Sequence, residues 1–123
     1  AGLLHGLGNA ALGLGDPEAA QAYYRESLER SREAGDRQRL ADALEGLAGL
    51  ALARRQPERA ARLLGMDEAI RDSLGIAVNP FDRPFYERHL AAARAALGAE
   101  TFAAAWAEGG AMPLDAAVTY ALE

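Results

Sequence analysis

The feature that most limits this fold is an internal repeat. Sliding residues 1–35 onto 41–75 aligns ten identical pairs. They are Ala1/Ala41, Leu4/Leu44, Gly6/Gly46, Leu7/Leu47, Ala11/Ala51, Leu12/Leu52, Pro17/Pro57, Glu18/Glu58, Ala20/Ala60 and Gly35/Gly75. So Ala-rich a composition would give roughly four by chance. Turn-forming glycine and proline recur in register with the apolar positions, so whole supersecondary units are repeated. Such units bury their apolar faces on one another and stack.

The repeating unit reads as a pair of helices. Leu4, Leu7, Ala11 and Leu12 share one helical face in a segment from Ala1 to Leu14, ended by Gly15. Asp16-Pro17-Glu18 is a helix start: an N-cap acid, Pro at the first helical position and an acid in the first turn. That second helix carries Ala20, Tyr24, Ser27, Leu28 and Ser31 on one stripe, and Gly35 suits a left-handed C-cap. Asp36 caps a third helix with Leu40, Leu44, Leu47, Ala48, Ala51 and Leu52 inward. Gln56-Pro57-Glu58 opens a fourth, with Leu63, Met66, Ile70 and Leu74 inward and Gly75 closing it. Residues 75–81 have no helical period and read as a loop. Asp82-Arg83-Pro84 restarts a helix bearing Tyr86, Leu90, Ala93 and Leu97, ended by Gly98. A short helix is expected near residues 100–108, stopped by Gly109-Gly110, and a last one begins at Pro113. Trp106, one turn after Phe102, is expected to be a packing anchor for these C-terminal helices. No stretch alternates as a strand does, so the expected class is all-α with seven helices.

The motif residues resemble the tetratricopeptide repeat. Leu4, Leu7-Gly8, Ala20 and Tyr24 follow its order of an apolar residue, Leu-Gly, Ala and an aromatic; Leu44, Leu47-Ala48, Ala60 and Leu64 follow it again. Gly8 and Ala48 would let the first helix of each pair approach the second, with Ala20 and Ala60 answering. Leu4 stands where the motif favours Trp, Ala11 where it favours Tyr and Ser27 where it favours Ala, and the period is 40 rather than 34. The resemblance implies a right-handed superhelix of antiparallel helix pairs. A single domain over 1–123 is expected, with repeats at 1–35 and 36–75 and a degenerate repeat plus C-terminal cap at 82–123.

A finer resemblance rests on Leu44-Glu45-Gly46-Leu47-Ala48, Arg59-Ala60-Ala61-Arg62-Leu63-Leu64-Gly65 and Phe102-Ala103-Ala104-Ala105-Trp106. Ala116-Ala117-Val118-Thr119-Tyr120-Ala121-Leu122 belongs to the same set. These runs are similar to the C-terminal repeats of large actinobacterial-type regulators. In that group an ATPase module precedes the repeats, and a LuxR-type helix-turn-helix often follows. All 13 basic residues are Arg, as GC-rich bacterial coding favours. The chain lacks an initiator Met and starts inside a helical pattern, so a piece of a longer protein is expected. The resemblance implies a cytoplasmic protein-interaction or regulatory domain of a transcriptional regulator. A small-molecule effector domain is the alternative.

Chemistry is thinly supplied. The absence of Cys removes thiolate catalysis, cysteine-ligated zinc and disulfides. The net charge of -5 argues against nucleic-acid binding by this segment, and no apolar run reaches a membrane span. His5 and His89 lack metal-ligand spacing and read as ordinary surface or core side chains. No serine sits in a nucleophile elbow, and Gly6-x-Gly8 follows no strand. Asp67, Glu68 and Asp72 read as a solvated face paired with Arg71. The Arg54-Arg55, Arg59 and Arg62 stripe reads as exposed charge, and Phe81, Phe85, Tyr86, Phe102 and Trp106 as a sealing core. No enzyme activity, cofactor or metal is expected.

The expected partner is a protein, a peptide or another domain of the same parent. With the Leu stripes consumed by packing, the residues beside them would face the inner groove. These are His5 and Asn9 in the first copy, Asp42 and Glu45 in the second, and Arg88 in the degenerate third.

Overall fold

A computed structural model describes residues 2–123; Ala1, where the first helix is expected to begin, lies outside them. Seven helices and no strand occur among the described residues. They are α1 (Gly2–Gly13), α2 (Pro17–Ala34), α3 (Arg37–Ala53), α4 (Pro57–Leu74), α5 (Arg83–Leu97), α6 (Ala99–Ala111) and α7 (Leu114–Leu122). No described helix is long and apolar enough to cross a membrane.

The repeat extends to individual backbone hydrogen bonds. In the α1–α2 turn, Gly15 N donates to Leu12 O at 3.1 Å and Asp16 N to Ala11 O at 2.9 Å. Forty residues on, Arg55 N donates to Leu52 O at 3.1 Å and Gln56 N to Ala51 O at 2.8 Å. Both turns need a left-handed residue: Gly15 has φ 80°, and Arg55 adopts φ 60° despite its side chain. Asp16 and Asp36 each accept from the backbone N–H three residues on, at 3.1 Å. Gly35 and Gly75 close α2 and α4 in the left-handed conformation, at φ 68° and 67°.

The pairs stack into a helical-repeat superhelix, α1–α2 against α3–α4. The central helix α3 is buried along most of its length, between α2, α4, α1 and α5. The α2 stripe Ala20, Tyr24, Ser27, Leu28 and Ser31 is buried as expected. The ring of Tyr24 fills the space above Gly8 of α1 and Gly46 of α3, where a methyl group at either glycine would overlap it. The α1 stripe departs from expectation. Leu7 is 38% exposed, whereas its counterpart Leu47 is 5% exposed. The physical difference is that α3 lies among α1, α2, α4 and α5, whereas α1 packs mainly on α2 and, less, on α3 among the described residues.

The helices after α4 do not follow the packing of the first two pairs, since α6 lies mainly against α4 and not against α5. The segment after α4 turns through Asn79, whose side chain accepts from Phe81 N at 2.9 Å. Helix α6 runs through Gly109-Gly110 to Ala111 instead of stopping there. Those glycines serve packing. Gly109 meets the Arg62 carbonyl of α4, and Gly65 of α4 meets the Trp106 carbonyl, so neither position has room for a Cβ. Trp106 is half-buried against both apolar clusters, its ring 5.7 Å from that of Phe102.

Arg54 and Arg55 are exposed as expected, but Arg59 and Arg62 of the arginine stripe hold α7. Arg59 donates to Tyr120 O and Ala121 O at 3.3 and 3.1 Å and lies over the Tyr120 ring. Arg25 donates to Leu122 O. Arg62 pairs with Glu108 of α6 at 3.0 Å and reaches the Tyr120 hydroxyl. Guanidinium groups at these carbonyls satisfy acceptors that the helix leaves open.

Candidate functional site

A polar groove of about 520 Å³ opens between α1, the start of α3 and the loop before α5. His5, Gly6 and Asn9 form one wall, and Asp36, Arg39 and Asp42 the opposite one. Phe81 and Asp82 stand at the end; Phe81 is 83% exposed. The first-helix positions reach the groove because Gly8 presses on Tyr24, which turns His5 and Asn9 to the neighbouring face.

Tyr24 also fixes the wall. Its hydroxyl donates to Asn9 Oδ1 at 2.5 Å, leaving the Asn9 amide 3.3 Å from His5 Nε2. Burial pushes the Tyr24 phenol up, so it remains a proton donor. On the other wall, Asp36 pairs with Arg39 at 3.2 Å and Asp42 with Arg71 at 2.8 Å. Asp82 has no ion-pair partner among the described residues, and burial raises its carboxyl.

Beneath Asp42 lies a buried charge cluster. Asp67 has no exposed surface, and Arg71 Nε lies 2.6 Å from its Oδ1. Burial pushes the Asp67 carboxyl up, to about 8, against the pull of Arg71. Of the acidic face expected to be solvated and paired with Arg71, Asp72 is exposed and the pairing is made, but Asp67 makes it from inside the core. The signal for it was the i, i+4 spacing of Asp67 and Arg71 on the face that also carries Leu63 and Ile70.

Of the five groove residues expected from the sequence, His5, Asn9 and Asp42 share this cavity. Glu45 does not: it is 4% exposed, with Oε1 3.4 Å from His89 Nδ1 of α5. His89 packs on Gly49, so α5 lies directly over that part of α3 and covers Glu45. Arg88 also lies outside the groove lining, its guanidinium 4.8 Å above the Phe85 ring. The register carried over from Leu90-Ala91 fails because α5 follows a longer, irregular connection. Phe81 and Asp82, which line the groove from that loop, were missed as groove residues; no periodic signal reaches them. Phe81 and Phe85 are exposed, whereas Tyr86 and Phe102 are buried, so the aromatic set is only partly a core.

Stacked helix pairs with a polar inner groove define a helical-repeat domain. The tetratricopeptide-repeat family model matches residues 1–66, and the chain belongs to that family. The chain is 36% identical over 107 residues to the "Putative HTH-type transcriptional regulator" proteins Rv0890c of Mycobacterium tuberculosis (strain ATCC 25618 / H37Rv) and Mb0914c of Mycobacterium bovis (strain ATCC BAA-935 / AF2122/97). The match covers 87% of this chain but 12% of the length of each relative. No solved structure matches the chain.

Proposed function

We propose that this domain is a protein-interaction arm of a bacterial helix-turn-helix transcriptional regulator, acting by binding and not by catalysis. It takes a protein or peptide segment, from a separate partner or another domain of its parent, into the groove between α1 and α3. The observation carrying this reading is the convergence of His5, Asn9, Asp42, Phe81 and Asp82 on one open cavity formed by both repeats and the loop before α5. Membership of the tetratricopeptide family supports an interaction role, and the mycobacterial relatives support a regulator as the parent. In this reading residues 1–123 are one segment of a longer cytoplasmic protein, and the ATPase and DNA-reading elements belong to other parts of it.

The groove's charge favours a basic segment. Arg39 and Arg71 offset Asp36 and Asp42, leaving Asp82 as the unpaired carboxylate beside an exposed aromatic ring. An arginine or lysine side chain can pair with Asp82 and lie over Phe81. The test is fluorescence anisotropy with labelled arginine-containing peptides and glutamate-substituted controls. Binding should prefer the basic peptides, weaken with salt, and fall about tenfold in Asp82→Asn and in Phe81→Ala. Equal binding of both peptide sets, or binding indifferent to both substitutions, contradicts the reading.

A further inference from the structure

We propose that the cavity bounded by α4, α5 and α6 is a second binding site, for a small zwitterion with a large apolar body, such as a free aromatic or branched-chain α-amino acid. It has a volume of about 670 Å³ and is lined by Glu68, Tyr86, Leu90, Arg94, Phe102 and Trp106. That volume lies within the ~300–1,000 Å³ of small-molecule sites. None of these residues borders the groove between α1 and α3. The small side chains of Ala99 and Ala103 keep the cavity open on the α6 side.

Two opposite charges border this apolar space, and neither has an ion-pair partner among the described residues. Glu68 is half-buried and accepts a hydrogen bond from the Tyr86 hydroxyl at 3.0 Å, which holds the carboxylate in place. Arg94 lies with its guanidinium 4.8 Å above the Phe102 ring, but makes no salt bridge. Glu68 and Arg94 do not pair with each other. A ligand of one charge would satisfy one of them. An ammonium and a carboxylate on the same small molecule would satisfy both, while its side chain lies against Leu90, Phe102 and Trp106. The half-buried Trp106 ring offers such a body an aromatic wall.

Trp106 is the chain's only tryptophan, so its emission reports directly on this cavity. The experiment titrates the protein with L-phenylalanine and L-leucine, then with L-phenylalaninamide, which lacks the carboxylate, and N-acetyl-L-phenylalanine, which lacks the amine. Calorimetry runs in parallel, to detect binding that leaves the emission unchanged. The expected result is saturable binding of both amino acids, with each phenylalanine analogue about tenfold weaker than phenylalanine. Glu68→Gln should erase the preference over the N-acetyl compound, and Arg94→Gln the preference over the amide. No saturable binding by either method, equal binding of all probes, or preferences that survive both substitutions would overturn the proposal.

Discussion

Gly8 of α1 and Gly46 of α3 converge on the same Cδ1–Cε1 edge of the Tyr24 ring. One aromatic side chain thus ties the first helix of each repeat to the second helix of the first, and its hydroxyl orients Asn9 in the groove. The same contact supports fold and candidate site.

A methyl group at either glycine must displace that ring. Gly8→Ala and Gly46→Ala should each destabilise the domain by ~1–3 kcal/mol, the usual cost of overpacking. Gly6→Ala, with no atom near the added Cβ, should instead stabilise by ~0.5–1 kcal/mol through helix propensity. Urea denaturation of the three variants checks the contrast; similar effects at Gly6 and Gly8 would contradict it.

Arg55 supplies an independent check of the repeated turn. It holds φ 60° where its counterpart is Gly15. Arg55→Gly should therefore raise stability, by up to ~1 kcal/mol, because the left-handed conformation costs an L-residue about that much. A thermal midpoint that falls in the variant would show that the Arg55 side chain contributes more than its strain costs.

The buried cluster predicts a pH dependence. Unfolded, the Asp67 carboxyl titrates near its ordinary 3.8; folded, burial raises it to about 8. Between those values the folded chain holds more protons than the unfolded one, so this group's contribution falls as pH rises towards 8. Chemical denaturation across that window should show a smaller decline in Asp67→Asn than in the parent chain. Arg71→Ala should cost ~1–3 kcal/mol at neutral pH, because it removes the hydrogen-bond partner of the buried Asp67 and of Asp42. Identical pH slopes in parent and Asp67→Asn would contradict this account.

Helix α7 should depend on arginines from the preceding repeats. Arg59→Ala removes two hydrogen bonds to its last turn and the stack on Tyr120. Hydrogen exchange at residues 114–122 should accelerate roughly tenfold while α3 stays protected. Unchanged exchange in α7 would mean that Val118 and its apolar neighbours hold the helix alone.

Much of this architecture was legible because it is periodic. The ten identities located both helix pairs, and Pro17, Pro57, Gly35 and Gly75 located their ends. His5, Asn9 and Asp42 reached one cavity because they follow from that period. What escaped depends on contacts between non-repeating parts. Gly109-Gly110 reads as a stop, yet those glycines sit inside α6 because α4 crosses it there. Glu45 looks exposed in its helix, but His89 arrives from α5 and buries it. Trp106 reads as a core anchor; it does pack on both apolar clusters, yet it stays half-buried at the edge of a cavity while its carbonyl meets Gly65. Phe81 and Asp82 lie on a loop with no period at all.

The most direct measurement for the central claim is nuclear magnetic resonance mapping of the groove. An isotope-labelled sample is titrated with an arginine-containing peptide, and backbone amide shifts are followed along the chain. Saturable shifts should concentrate at His5, Asn9, Asp42, Phe81 and Asp82, and should vanish at those positions in Phe81→Ala/Asp82→Asn. Shifts concentrated on α2 or α6 and away from the groove, or no saturable shifts at the groove, would contradict the assignment of this surface as the docking site.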